Sequence, residues 1–479
     1  MKYLLGIDVG TNGTKSVLFD ERGKLIDISY RGYRVLYPRE GWVEQPAESW
    51  WRGVKDTVRE LLARNDVRND VIALSLSAQG GATVLLDSRF IPLRDAVSWL
   101  DLRAQETEHL LKKEITAEEL QEISGWNLLF ALSLPVLYWL RHRDPELFSE
   151  MEYAATTVDY MNYRLTGRFA IDPSSCAMTE LLDIERREWS DHLLRLAGLE
   201  RRQVPEIVPS GECVGGLTKE ASKELFLPEE VAVISGAHDQ YCANIGAGAV
   251  QEGDCVLSTG TAWVLLATSD KLLRDSRGLI HPGPHLLAGK YGLMTAVSSA
   301  GDSLNWFQST FENQSTLEQL SDEVQKVNPG SDGMIFIPKL TSKSQRASFL
   351  HMDTAHDRRH MARAVFEGVA LANRRHIEAF RDIGMQIENL IMIGGGARSS
   401  VWPGIVADVS GLPVYIPEQR ESACAGAAVL AGVGSGVFTS IEEAVARFSG
   451  EKVLIEPDVR NEAVYADAYE RFLQALEHV

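Results

Sequence analysis

Cysteine is scarce in this 479-residue chain and never falls in a CxxC spacing: Cys176, Cys213, Cys242, Cys255 and Cys424 are the whole set. An odd, scattered group supports neither a disulfide framework nor a zinc site, and it fits a reducing cytoplasm. Positive charge is also in deficit, with 48 Lys and Arg against 67 Asp and Glu and a formal net charge of -19. That balance argues against nucleic acid or an anionic membrane as the main partner, but leaves room for a local basic pocket around phosphate. Long hydrophobic runs are missing too. Met1 to Leu5 leads at once into a strand and lacks a signal-peptide pattern. The most apolar late stretch, Ala423 to Val433, is short of the roughly 20 residues that span a bilayer, and reads as a helix buried between layers. There is no Walker A sequence and no GxGxxG in a strand–helix setting, so any nucleotide is held by other means.

The hydrophobic fraction of 45% and charged fraction of 24% are ordinary for a globular protein, and the length favours two domains. Leu4 to Val9, Ser16 to Phe19 and Leu25 to Tyr33 read as three strands joined by tight turns. Pro46 fits the first turn of a helix running to about Arg64, with Trp50, Trp51, Val54, Val58, Leu61 and Leu62 at core-facing spacing. Strand, turn, strand returns at Asp254 to Ala267, and Leu390–Ile393 runs into three glycines before a helix from about Ser400. The expectation is an α/β fold with mixed sheets, duplicated, with a boundary near 243–248 and a cleft between the halves.

Asp239 follows a short apolar strand, Val231 to Ile234, and small residues. A carboxylate there can take a proton from an attacking alcohol; it can equally cap a helix. In Asp8-Val9-Gly10-Thr11-Asn12-Gly13-Thr14-Lys15, small residues and hydroxyls allow close approach to phosphate, Lys15 adds charge, and Asp8 suits Mg²⁺; an ordinary Asn-Gly hairpin accounts for the same residues. Ser258-Thr259-Gly260-Thr261 has the same ingredients, and Gly394-Gly395-Gly396-Ala397 offers bare backbone before a helix, or simply a tight turn.

Taken in order, GIDVGTNGTKSVLFD, GWVEQPAESWW, SLSAQGG, SWLDLRAQ, DYMNYRLTG, SGAHDQ, LSTGTA, SSAGDSLNWF and IGGGARSSVWPGIVADVSGLPV resemble the FGGY family of carbohydrate kinases along nearly the whole chain. The resemblance implies two ribonuclease-H-like domains of the actin/hexokinase superfamily, residues 1–244 and 245–479, around an ATP cleft. It implies transfer of the γ-phosphoryl group of MgATP to a hydroxyl of a small-molecule sugar or polyol. Asp239 would be the catalytic base and Gln240 a sugar contact; Asp8 would serve the metal. Thr11, Gly13, Thr14 and Lys15 would line the phosphates, with Gly260 and Thr261 opposite, Gly301 and Asn305 nearby, and Gly395, Gly396, Ala397 and Ser400 bounding the adenosine. Gln79, Gly80, Gly81, Trp99, Asp101 and Arg103 would form the sugar pocket. On the residues alone, Trp99 reads as a core aromatic and Asp101–Arg103 as a surface pair.

Two departures stand out. Family members that act on xylulose carry Met-His after the glutamine, and those that act on glycerol carry Arg-Glu; here both places are glycine, Gly80 and Gly81, which reads as a roomier pocket. After Pro338 the usual Gly-Glu-Arg-x-Pro loop is replaced by Lys339 to Arg346. D-xylulose is the expected substrate, with ribulose, fuculose, a sugar alcohol, or a non-catalytic sugar-sensing role kept as alternatives, and a homodimer left open.

Overall fold

The computed structural model describes residues 1–311, 315–340 and 346–477. β1 (Tyr3–Val9), β2 (Gly13–Asp20) and β3 (Leu25–Gly32) form an antiparallel meander. α1 (Ala47–Asn65) buries Trp50, Trp51, Val54, Val58, Leu61 and Leu62, the positions its helical spacing predicts, and ends where Asp66 turns left-handed. Pro46 stands just ahead of it as the N-cap rather than inside the first turn. β4 (Val71–Ala78) then lies parallel to β1, and β5 (Cys213–Gly216) and β6 (Ala232–His238) complete a six-stranded sheet in the order β5-β6-β4-β1-β2-β3.

The second half repeats this scheme. β7 (Cys255–Thr259), β8 (Trp263–Ser269), β9 (His281–Pro284), β10 (Tyr291–Val297), β11 (Leu390–Gly394), β12 (Val414–Pro417) and β13 (Lys452–Ile455) order as β9-β10-β8-β7-β11-β12-β13. Each half is a three-stranded antiparallel meander, then two parallel strands, then an antiparallel edge strand. β9 is an addition at the outer edge of the second sheet.

β6 runs four residues beyond the Val231–Ile234 strand expected from the apolar run, through Ser235, Gly236 and Ala237 to His238. Its pairing with β4 slips between Ile234 and Ala237, as at a bulge. A Cβ on Gly236 would lie 1.7 Å from the carbonyl oxygen of Leu76, so only glycine fits.

α2 (Asp239–Gly246) starts directly from β6. α3 (Ala300–Phe311), α4 (Arg358–Asp382) and α5 (Trp402–Ser410) cover the second sheet, their apolar side chains filling its core with Leu257, Phe336 and Met392. α6 (Ser422–Gly434), the buried helix that the apolar run predicts, does something different. It returns across the molecule and packs on α2, β1, β4 and β6. The phenyl rings of Phe19 and Phe448 then meet at 5.1 Å, so residues 422–448 lie against the first sheet although in sequence they fall between β12 and β13 of the second.

The α2–α6 crossing is a backbone contact. A Cβ on Gly426 would lie 1.9 Å from Cys242 O, one on Gly246 1.9 Å from Ser422 O, and one on Gly6 1.9 Å from Cys424 O. We therefore predict that Gly426→Ala destabilises the protein by about 1–3 kcal/mol or more, read as a lower Tm and a lower denaturant midpoint.

Candidate active site

Parallel strands deliver the two acidic residues to one edge. In the β1–β4–β6 register Asp8 stands opposite Ser77, and Ser77 opposite Ala237, two residues before Asp239. The Ser77 hydroxyl donates to Asp8 Oδ1 at 2.6 Å. Burial, then the neighbouring Asp239 carboxylate, push the Asp8 carboxyl up to about 7. Burial pushes Asp239 up to about 6, opposed by hydrogen bonds from Gln240. Ligand sites at the carboxyl ends of parallel strands are the rule for such sheets.

Asp239 borders a cavity of about 470 Å³ between the halves. The first half contributes Gln79, Gly80, Trp99, Trp126, Met178, His238 and Gln240; the second contributes Val264, His281, Met294, Thr295 and His376. Trp126 stacks on His281 at 4.7 Å and 11°, and Asn127 Nδ2 donates to Gly278 O at 2.9 Å, so the halves touch on this side as well as at α2–α6. Among the described residues that line the cavity none is lysine or arginine. Burial lowers His238, His281 and His376 each to about 4, so all three imidazoles are neutral near pH 7. Gln79 Oε1, His238 Nδ1 and Gln240 Oε1 are buried with no hydrogen-bond partner among the described residues. Such groups in a native interior call for a ligand or water. A larger, more open cavity of about 1130 Å³, bordered by Arg187, Trp189 and Leu286, is lined by neither Asp8 nor Asp239; the smaller one, which Asp239 lines, is the candidate site.

The expected residues distribute as follows. Trp99 is partly exposed at the cavity and donates through Nε1 to Thr11 Oγ1 at 2.9 Å, so it is not a core aromatic. Gln79 donates to Gln45, which donates to Thr11 O, tying pocket to hairpin. Asp101 and Arg103 are not at the surface and do not line the cavity. Arg103 chelates Asp101 through Nε and Nη2 at 2.9 and 2.8 Å and reaches Glu44 at 2.7 Å, its guanidinium 3.7 Å from the Trp42 ring centroid. This buried cluster fixes the loop that carries Trp99, two residues earlier.

Gly80 and Gly81 do not open the pocket. A Cβ on Gly80 would meet the His238 ring at 2.7 Å and Met178 at 2.9 Å; one on Gly81, at φ +75°, would meet Leu132 at 2.6 Å. The space that small residues seem to leave is already filled.

On the hairpin, Thr11 is half-buried at the tip and Gly13 is packed under Tyr30, with no room for a Cβ. Thr14 is buried and faces α1, where a Cβ on Gly53 would meet its hydroxyl at 2.6 Å. It therefore faces away from the cleft, because side chains alternate along β2. Lys15 stands opposite Asp8 in the register and forms an ion pair with Glu421 at 2.5 Å, just ahead of α6. On the other side, Thr259 and Gly394 end the parallel pair β7–β11. Gly395 N–H donates to Thr259 O at 2.9 Å, Asp302 N–H to Thr261 O at 3.2 Å, and a Cβ on Gly301 would lie 2.2 Å from Gly260 O. Gly260, Thr261, Gly301 and Gly395 thus come together, with Asn305 exposed on the next turn of α3. Gly396 is buried under Thr259, Ala397 packs on the second core, and Ser400 is exposed, accepting from Gln325 at 3.4 Å. In the altered loop, residues 341–345 lie outside the described residues.

Two small-residue strand ends facing one cleft, each built on the same six-strand scheme, define a two-domain fold with a cleft between the halves. Residues 3–246 match the N-terminal domain, and residues 255–435 the C-terminal domain, of the FGGY family of carbohydrate kinases. The chain belongs to that family. It is 32% identical over 486 residues to a xylulose kinase from Bacillus subtilis, covering 100% of this chain and 97% of the relative, and 29% identical to one from Lactococcus lactis at the same coverage. A crystal structure described as a xyloylose kinase from Brucella ovis superposes with a TM-score of 0.91 at 28% identity, covering 99% of this chain and 98% of that one. The protein has the two-domain actin/hexokinase-like fold and is a carbohydrate kinase. No helix among the described residues is long and apolar enough to cross a membrane.

The raised Asp8 pKa has a sign that can be tested. Between the ordinary value near 4 and about 7 the native state must ionise a carboxyl it disfavours, so stability falls as pH rises through that window. Without nucleotide or metal, Asp8→Asn is expected to raise Tm at pH 8 and to leave it unchanged near pH 3.5.

Proposed function

We propose that the protein transfers the γ-phosphoryl group of MgATP to a hydroxyl of D-xylulose. One observation carries the reading: a carboxylate raised to about 6, Asp239, borders an apolar-walled cavity that Gln79 and Gln240, each with an unpaired amide oxygen, also line. Ionised Asp239 takes the proton of the sugar hydroxyl as the oxygen attacks phosphorus. Gln79 and Gln240 hold neighbouring hydroxyls, and Trp99 and Trp126 cover the carbon face of the sugar. The glycine-rich ends at 260, 301 and 395 admit the nucleotide close to the backbone, and Thr11 with the hairpin approaches its phosphates. Docking of the halves through Trp126 and His281 keeps water from the transferring group.

The donor set suits Mg²⁺. Asp8 is a hard oxygen ligand with one oxygen already oriented by Ser77, and no group of three or more metal-ligating side chains exists among the described residues. This matches an ion that keeps several waters and leans on substrate phosphates. When bound, Mg²⁺ neutralises phosphate charge. The relatives named xylulose kinase support D-xylulose as the acceptor. So does the absence of lysine and arginine among the described residues that line the cavity, none of which offers a sugar acid a counter-charge.

ADP release should require sugar, be fastest with D-xylulose among D-xylulose, D-ribulose, xylitol and D-gluconate, and be negligible with gluconate. Asp239→Asn should lower kcat by about 10²–10⁴ with KM for ATP nearly unchanged, and wild-type kcat/KM should fall as pH drops below about 6, where Asp239 takes up its proton. ADP release without sugar, or wild-type turnover by Asp239→Asn, contradicts the assignment.

A further inference from the structure

Gln45 is 1% exposed and lies behind the cavity wall rather than in it. It is half of a two-residue strand, Glu44–Gln45, paired antiparallel with Ala96–Val97. Side chains alternate along a strand, so Glu44 turns to Arg103 at 2.7 Å while Gln45 turns toward the site. There its Nε2 donates to Thr11 O at 2.7 Å, and its Oε1 accepts from Gln79 Nε2 at 2.9 Å. Gln79 Oε1 is left buried at the cavity with no partner among the described residues.

This relay has a fixed direction. A backbone carbonyl can only accept, so the amide nitrogen of Gln45 is the end that faces Thr11. Gln45 then offers its oxygen to Gln79, which answers with nitrogen and turns its own oxygen to the cavity. Thr157 Oγ1, 3.5 Å from Gln79 Nε2, supports the same orientation weakly. At the other end, Thr11 is the tip of the hairpin, and its hydroxyl is already held by Trp99 Nε1 at 2.9 Å. Resting on the phosphoryl-transfer reading above, we infer that Gln45 is a positioning residue: it holds the carbonyl of the hairpin tip that approaches the nucleotide phosphates, and it sets which end of the Gln79 amide meets the acceptor. It touches neither ligand. It ties the phosphate hairpin to the acceptor pocket through two side-chain hydrogen bonds. Without them the Thr11 carbonyl and the Gln79 nitrogen lose buried partners, which is costly, and the Gln79 amide is free to turn over.

The test measures kcat and KM for D-xylulose and for MgATP in wild type, Gln45→Met, Gln79→Met and the double variant. Methionine keeps the length of the side chain and removes the amide. Gln45→Met is expected to raise both KM values, each about 5- to 50-fold. In the double variant KM for D-xylulose should match that of Gln79→Met alone, because the two substitutions break one relay. The fall of kcat/KM below about pH 6 should stay in place in Gln45→Met, since the relay does not reach Asp239; general damage to the fold would shift it. Gln45→Asn, whose amide is one methylene short of its partners, should show the same pattern and serves if methionine is not tolerated. Wild-type KM for MgATP in Gln45→Met, or effects on KM for D-xylulose that multiply in the double variant, overturns this inference alone. No D-xylulose-dependent ADP release by the wild type overturns the phosphoryl-transfer reading and this inference with it.

Discussion

The backbone-to-backbone crossing of α2 and α6 is the constraint on which the site depends. Asp239 is the first residue of α2, and Glu421, the partner of Lys15, directly precedes α6. Where Gly246 meets Ser422 O and Gly426 meets Cys242 O, no side chain can intervene. The two helices therefore fix where both sheets end relative to one another. Gly6 against Cys424 extends the contact to β1, the strand that carries Asp8. Close packing of this kind transmits small displacements rather than absorbing them, so the crossing ties α2, which begins at Asp239, to the strand that carries Asp8.

Around that crossing the molecule arranges charge with economy. Asp8 and Asp239 are both pushed toward neutral pH, by burial first and, for Asp8, by the other acid next. A base near neutrality takes a proton from a bound alcohol more readily than an ordinary carboxylate does. Lys15, opposite Asp8 in the register, opposes that carboxyl's rise without cancelling it and also pairs with Glu421, while Arg103 is held by Asp101 and Glu44. Neutral imidazoles, amides and indoles are left to face the cavity, an environment that recognises hydroxyls and apolar carbon faces.

Much of this was legible in the order of residues. The meanders, the glycine turns at strand ends, the core stripe of α1 and the buried helix at Ala423–Val433 follow from local periodicity and residue size, which act over a few positions. The facing of Thr14 was also within reach, since alternation puts it opposite Lys15 on β2. Contacts made over long separations were not legible. The Lys15–Glu421 pair spans 406 positions, and the Arg103 cluster draws on Glu44 and Trp42 from another loop. Gly80 and Gly81 looked like added room because a sequence shows only what a position lacks; His238 and Leu132 arrive from elsewhere to fill it.

The most direct test of the account is a crystal structure with Mg²⁺, a non-hydrolysable ATP analogue and D-xylulose. The account predicts one sugar hydroxyl within hydrogen-bond reach of an Asp239 oxygen and in line with the terminal phosphorus, with the glycine turns at 260 and 395 against the nucleotide. A sugar seated away from Asp239, or a triphosphate whose terminal phosphorus points out of the cavity, would contradict it.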